Sequence, residues 1–226
     1  MDKQQASPNL SGASAHAEAM MQFLLRLRER GIAHTNVLRA LETIPRQHFV
    51  PHRHADLAWR DIALPIPCGQ TMPEPFLVAR MVEALNVQLS HRVLEIGAGN
   101  GYSAAILSKL AQDVVSVEWY PTLAAAAATR IAALGLANVK VLVGDGLALG
   151  EEMGAFDRIL VQGAVSELPQ SLLARLAQGG VIVFGEIGAD GKAATLMRLT
   201  QAQDGFHRER IAACRLQPLM TGAAGV

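Results

Sequence analysis

Two textures of apolar spacing divide the chain. From Ala17 to Arg30 apolar residues recur at helical spacing (Met20, Met21, Leu24, Leu25, Leu27) and Gly31 supplies a stop, which predicts a helix. A second helix is expected at about His34 to Thr43. Pro45 and Pro51 then interrupt the pattern, and a short helix leads into the loop LPIPCGQTMPEPF. Pro75 precedes a cleaner helix, FLVARMVEALNV, that ends near Asn86. From His91 onward short β-branched runs alternate with alanine- and leucine-rich helical ones: RVLEIG then SAAILSKLA, DVVSVE then LAAAAATRIAALG, VKVLVGD, FDRILVQGA then SLLARLAQ, and GGVIVFGEIG. Continuous apolar strands separated by helices imply a parallel sheet covered on both faces, a doubly wound α/β fold. The end differs, because AATLMRLTQ, Asp204-Gly205 and FHRERIAACRLQPLM read as an antiparallel hairpin at the sheet's edge.

Length and charge narrow the picture. At 226 residues and 50% hydrophobic, the chain can bury one sizeable core. We therefore expect a flexible leader at 1–14 and a single domain at 15–226, with an N-terminal helical cap and loop at 15–86 and a Rossmann-like core at 87–226. Lysine plus arginine (20) balance aspartate plus glutamate (20), so no basic field gathers nucleic acid or an anionic membrane. No window holds the roughly 18 uninterrupted apolar residues of a membrane span, and the N-terminus lacks a signal-peptide core. Cys68 and Cys214 make neither a disulfide framework nor a zinc pattern, and the expected location is cytoplasmic. Cys68 is read as wall packing and Cys214 as a strand core residue. His48, His52 and His54 lack acidic or thiol partners at ligand spacing, so no metal site is expected.

The candidate chemistry lies at the strand ends. VLEI runs into Gly97-Ala98-Gly99-Asn100-Gly101 and then a helix, where the backbone can approach a ligand closely and exposed N–H groups favour an anion. Glu118 ends the next strand, where a carboxylate can accept hydrogen bonds from a ribose diol. Asp145, within Gly144-Asp145-Gly146, follows the third. Their joint placement points to an adenosine-containing ligand. Trp119 is expected either beside the adenine or in the core, and Gln162 and Gly163 after the fourth strand line the same site. A dinucleotide site favours GxGxxG with room for a pyrophosphate, whereas the spacing here is GxGxG.

Motif, acidic order and terminal hairpin together resemble the S-adenosylmethionine-dependent methyltransferases, in which Glu95 within VLEIG matches the usual acidic residue of the first strand. The resemblance implies that the loop Gly97–Gly101 lies along the methionine moiety, Glu118 holds the ribose, and Asp145 faces the adenine beside Gly146. From about Val37 onward, RALETIPRQHFVPHRHADLAWRDIALPIPCGQTMPEPFLVARMVEAL and HRVLEIGAGNGYSAAILSKL resemble the protein-L-isoaspartate O-methyltransferase family more narrowly. That resemblance implies S-adenosylmethionine as methyl donor, S-adenosylhomocysteine as product and isoaspartyl-containing proteins or peptides as acceptors. The Gly-Gln-Thr loop would then fold over the cofactor as a wall of the acceptor pocket.

The chain departs from the family pattern Gly-Gln-Thr-Ile-Ser-x-Pro-His, whose serine is usually assigned to the active site. Here Gly69-Gln70-Thr71-Met72 is followed by Pro73-Glu74-Pro75-Phe76, so Pro73 stands for the serine and Phe76 for the histidine. The carboxylate acceptor, with a pKa near ~4, is already ionised at neutral pH and needs no general base. Alignment and exclusion of water are the work required. Thr71 can supply a substitute hydroxyl and Gln70 an amide. Three alternatives stay open: a relative that has moved to another carboxylate or small-molecule acceptor, a cofactor-binding protein without turnover, and a nicotinamide dehydrogenase.

Overall fold

The computed structural model describes residues 10–188, 191 and 193–222, with side chains from Ala17 onward. Helix α1 (Leu10–Glu29) begins ahead of the expected Ala17 and takes in residues 10–14 of the leader expected at 1–14; residues 1–9 of that leader lie outside the described residues. Phe23 and Leu27 are buried, whereas Met21 and Leu25 of the expected apolar stripe face outward. Helix α2 (Thr35–Thr43) buries Val37, Leu38, Ala40 and Leu41. It carries no side-chain cap of its own. Glu83, far along the chain, accepts the N–H groups of Ala33 and His34 at 2.8 Å each and supplies negative charge at the start of the helix.

Two 3-10 turns (Arg46–His48 and His52–Leu57) lead to a small hairpin, β1 (Leu64–Pro65) and β2 (Thr71–Met72). Helix α3 (Pro75–Leu85) follows, with proline in its first turn, where the missing N–H costs nothing, and Asn86 in the left-handed region (φ 50°) at its end.

The core alternates as its apolar runs require: β3 (Arg92–Ile96), α4 (Tyr102–Ser108), β4 (Asp113–Glu118), α5 (Pro121–Ala133) and β5 (Val139–Val143). Then come β6 (Phe156–Val165), α6 (Gln170–Leu173), β7 (Leu176–Ile187), β8 (Ala194–Ala202) and β9 (Gly205–Cys214). The seven-stranded sheet has the order β5-β4-β3-β6-β7-β8-β9, parallel from β5 to β7, with β8 antiparallel to both of its neighbours, β7 and β9. Side chains alternate across it. Val93, Val114, Leu160 and Val183 face the layer of α1–α5, while Leu94, Val115, Ile159 and Ile182 face a thinner layer around α6.

One helix was expected longer. SLLARLAQ forms a single turn, because Leu176 already pairs with Phe156 and is buried in the sheet, so strand pairing overrides the helical spacing. Among the described residues no helix is long and apolar enough to cross a membrane.

Strand order reverses between β3 and β6, which opens a crevice at their carboxyl ends, the usual ligand position in open α/β sheets.

Candidate active site

The proline-rich segment is one wall of that crevice. Its tip turns through Cys68 and Gly69, both at positive φ (59° and 67°), and is closed by the Ile66 N–H donating to the Gln70 carbonyl at 2.9 Å. Cys68 is exposed there instead of packed, because the tip projects from the core. The Gln70 amide donates across the cleft to the Tyr120 hydroxyl at 3.3 Å, and the Gly69 carbonyl accepts from the Gln217 amide at 3.2 Å. Arg46 is fully buried behind the hairpin: it donates to the Ala58 carbonyl at 2.8 Å, reaches Met72 Sδ at 3.6 Å and lies 5.3 Å from the centre of the Tyr102 ring. Burial lowers the Arg46 pKa to about 10 and raises that of Tyr102 to about 12.

The glycine loop turns beneath the opposite wall. Gly97, Gly99 and Gly101 take φ of 87°, 55° and 89°, a region in which a side chain is strained. Gly101 faces Ala127 of α5, a close approach that requires a small residue at position 127. The loop's N–H groups were expected to face an anion, yet those of Gly97, Ala98, Gly99 and Gly101 are spent internally. Gly97 and Ala98 donate to the Val117 carbonyl, Gly101 to that of Ala98, and Gly99 to Glu118 Oε2 at 2.7 Å. What these four positions offer a ligand is therefore space for close approach, not anion-binding donors.

Glu118 is 5% exposed and also accepts the Tyr120 N–H at 2.9 Å, so each oxygen is held by one backbone group and keeps a lone pair for another donor.

Glu95, expected at the cofactor, is instead fully buried under the loop. Ser103 of α4 and Ser116 of β4 donate their hydroxyls to its two oxygens, which locks the first turn of α4 to the sheet. Burial raises its pKa from 4.5 to about 7, against the two serine hydrogen bonds, which lower it. Folding thus favours the protonated carboxyl. Its stabilising contribution is complete below about 4.5 and is lost as pH rises through about 7. Glu95→Gln should remove that dependence: relative to the variant, wild type is expected to lose roughly 2–3 kcal/mol between pH 5 and 8 in urea titrations.

Asp145 also departs from expectation. Its oxygens accept the N–H groups of Leu147 at 2.9 Å and of Gly222 at 2.8 Å, and it does not line the cleft. It anchors a C-terminal strap, residues 215–222, that nothing in the sequence pattern announced. The strap pairs with the end of β6 through Ala164 and Pro218 and sets Leu219 against Gly97, while a Cβ at Gly163 would overlap Leu219. Gly163 is glycine because the strap passes there. Cys214, where the strap begins, is half-buried, and desolvation raises its pKa to about 11.

Hairpin, loop and strap enclose a cleft of about 1050 Å³. Of the candidates from sequence, Gln70, Thr71 and Pro73 line it from the hairpin, Gly97 and Gly99 from the loop, and Glu118, Trp119, Gly146 and Gln162 from successive strand ends. Ala98 and Asn100 border only a small adjoining pocket of about 30 Å³, Gly101 backs onto α5, and Glu95 and Asp145 brace the walls. Sequence reasoning missed Tyr120, Leu147, Arg30 and Asp61, and the strap residues Arg215 to Met220, all of which line the cleft. A sulfonium nucleoside fits this lining. Glycines permit close approach, Glu118 has acceptor capacity for a diol, and Ile96, Val117 and Leu147 offer an apolar bed for a base. Among the described residues no group of three or more His, Cys, Asp or Glu is placed to hold a metal.

Comparison with known proteins agrees with the fold and the cleft. The family model described as protein-L-isoaspartate(D-aspartate) O-methyltransferase matches residues 17–223. Protein-L-isoaspartate O-methyltransferase 2 of Rhodopseudomonas palustris strain HaA2 is 51% identical over 204 residues, covering 90% of this chain and 94% of the relative. The protein-L-isoaspartate O-methyltransferase of Xanthobacter autotrophicus is 47% identical, covering 90% and 93%. A solved protein-L-isoaspartate O-methyltransferase superposes with a TM-score of 0.81 at 25% identity over 91% of this chain and 67% of its own. A Plasmodium falciparum protein solved with S-adenosyl-L-homocysteine shares the fold, with a TM-score of 0.78 at 22% identity over 88% and 97%. The chain belongs to the protein-L-isoaspartate(D-aspartate) O-methyltransferase family, a family of S-adenosylmethionine-dependent methyltransferases.

Proposed function

We propose that this protein methylates the free carboxylate of L-isoaspartyl residues in damaged proteins and peptides, within a single domain acting in the cytoplasm. The observation that carries this reading is the family match along nearly the whole chain, joined to a cleft of suitable lining. Two unpaired cysteines suit a reducing compartment.

Gly97 and Gly99 would run along the methionine moiety, Glu118 would accept the ribose hydroxyls, and Trp119, Gly146 and Leu147 would border the adenine. When bound, S-adenosylmethionine supplies an electrophilic methyl group. The protein's own residues align the acceptor and keep water away. Gln70 holds the hairpin tip to Tyr120, and Gln217 holds it to the strap, so the hairpin closes the cleft from both sides. Thr71 supplies the hydroxyl nearest to Pro73 in sequence on the cleft wall.

A second reading, methylation of another carboxylate, is favoured by Pro73, which brings no hydroxyl to the cleft, and by Phe76, whose ring lies 3.6 Å under the Arg30 guanidinium. Methyl transfer to an L-isoaspartyl peptide and to its normal aspartyl counterpart separates the two. Transfer to the first alone is expected for wild type, and Pro73→Ser should change the rate by about tenfold or less. Activity that appears only in Pro73→Ser would assign the natural acceptor elsewhere.

A further inference from the structure

Gln162 stands just past the part of β6 that pairs with β3. The β3 ladder ends at Ile96 and Val161, and the β7 register shifts between Leu160 and Ala164, so residues 161–163 form an irregularity of the kind that re-aims side chains beside active sites. Its amide Nε2 and Oε1 are both buried, and neither has a hydrogen-bond partner among the described residues. A buried amide left unpaired is costly, and such groups are rare unless an occupant satisfies them. Gln162 lines both the main cleft and the small pocket beside Thr71 and Pro73.

The cleft crosses the sheet in strand order. Gly146, Glu118 and Gly97 lie at the ends of β5, β4 and β3, the side assigned above to the nucleoside and its methionine. Beyond them the cleft continues over β6 to β9, lined by Gln162, Ile187, Ala194, Ala213 and Arg215. Gln162 is the first residue on that far side.

Resting on the isoaspartyl reading, we propose that the Gln162 carboxamide recognises the acceptor by two adjacent hydrogen bonds. Its Nε2–H donates to the free carboxylate, and its Oε1 accepts the peptide N–H carried by the same carbon. An isoaspartyl residue bears both groups on one carbon. In normal aspartate the carboxylate sits one carbon further from the N–H, so one amide cannot meet both, and the same contact discriminates against the undamaged chain.

The test titrates an L-isoaspartyl peptide into the protein saturated with S-adenosylhomocysteine, by calorimetry, alongside steady-state kinetics. Gln162→Leu should weaken peptide binding and raise KM about ten- to hundredfold with kcat less affected, and Gln162→Glu, which adds charge repulsion, should weaken it more. S-adenosylhomocysteine affinity should stay within about threefold in both, which also reports that the variants fold. Methylating the isoaspartyl N–H should weaken binding to wild type and add no penalty in Gln162→Leu. Unchanged peptide affinity in Gln162→Leu, indifference of wild type to N-methylation, or a loss confined to S-adenosylhomocysteine would each overturn the proposal. Wild type that neither binds nor methylates the isoaspartyl peptide would instead overturn the isoaspartyl reading itself.

Discussion

Glu118→Ala is expected to weaken S-adenosylhomocysteine binding by about 10²–10³-fold, or ~3–4 kcal/mol, in isothermal titration. The estimate has two parts. Hydrogen bonds from a ribose diol to a carboxylate are charge-assisted, at about 1.5–3 kcal/mol each, and Glu118 keeps acceptor capacity for them. The side chain also holds the Gly99 and Tyr120 N–H groups, so its removal orphans two backbone donors and loosens the glycine loop at the same time. Glu118→Gln retains the shape and one acceptor oxygen and should fall between wild type and alanine. A change of less than about threefold in Glu118→Ala would remove this carboxylate from the nucleoside site.

Gly101→Ala should destabilise the protein by about 3–4 kcal/mol and lower its melting temperature by roughly 10 °C. At φ 89° any side chain is strained, at about 1–2 kcal/mol. The added Cβ would also lie 3.1 Å from the Ala127 Cβ and 3.3 Å from its Cα, atoms of a buried helix that cannot rotate away. Overpacking of that kind adds about 1–3 kcal/mol. Combining the change with Ala127→Gly relieves the Cβ contact and leaves the backbone strain, so only part of the stability should return. Urea unfolding of the two variants checks this, and full recovery in the double variant would show that packing alone made Gly101 necessary.

Much of the fold was legible because its signals are short-range. Five apolar β-branched runs became β3 to β7, Pro75 and Asn86 bound α3 as proline and a left-handed residue should, and Asp204-Gly205 turned the final hairpin. The strand ends carrying Gly97, Glu118 and Gln162 were legible for the same reason, since a strand followed by a helix fixes where its last residues emerge. Where a local signal competed with a distant partner, the partner won. SLLARLAQ has the composition of a helix, yet pairing of Leu176 with Phe156 drew it into the sheet.

The sequence by itself determined the alternation of strands and helices and the residue types that border a nucleoside cleft, because each depends on spacing within a dozen neighbours. Only the tertiary structure decided how the polar groups were spent. Glu95 went to two serines, Asp145 to the strap, the loop N–H groups to Val117 and Glu118, and Gln162 to no partner among the described residues. A carboxylate or an amide reads the same in sequence whether it braces a wall or waits for a ligand. Which of these it does depends on which donors and acceptors folding brings within about 3 Å of it, and those come from segments far apart along the chain.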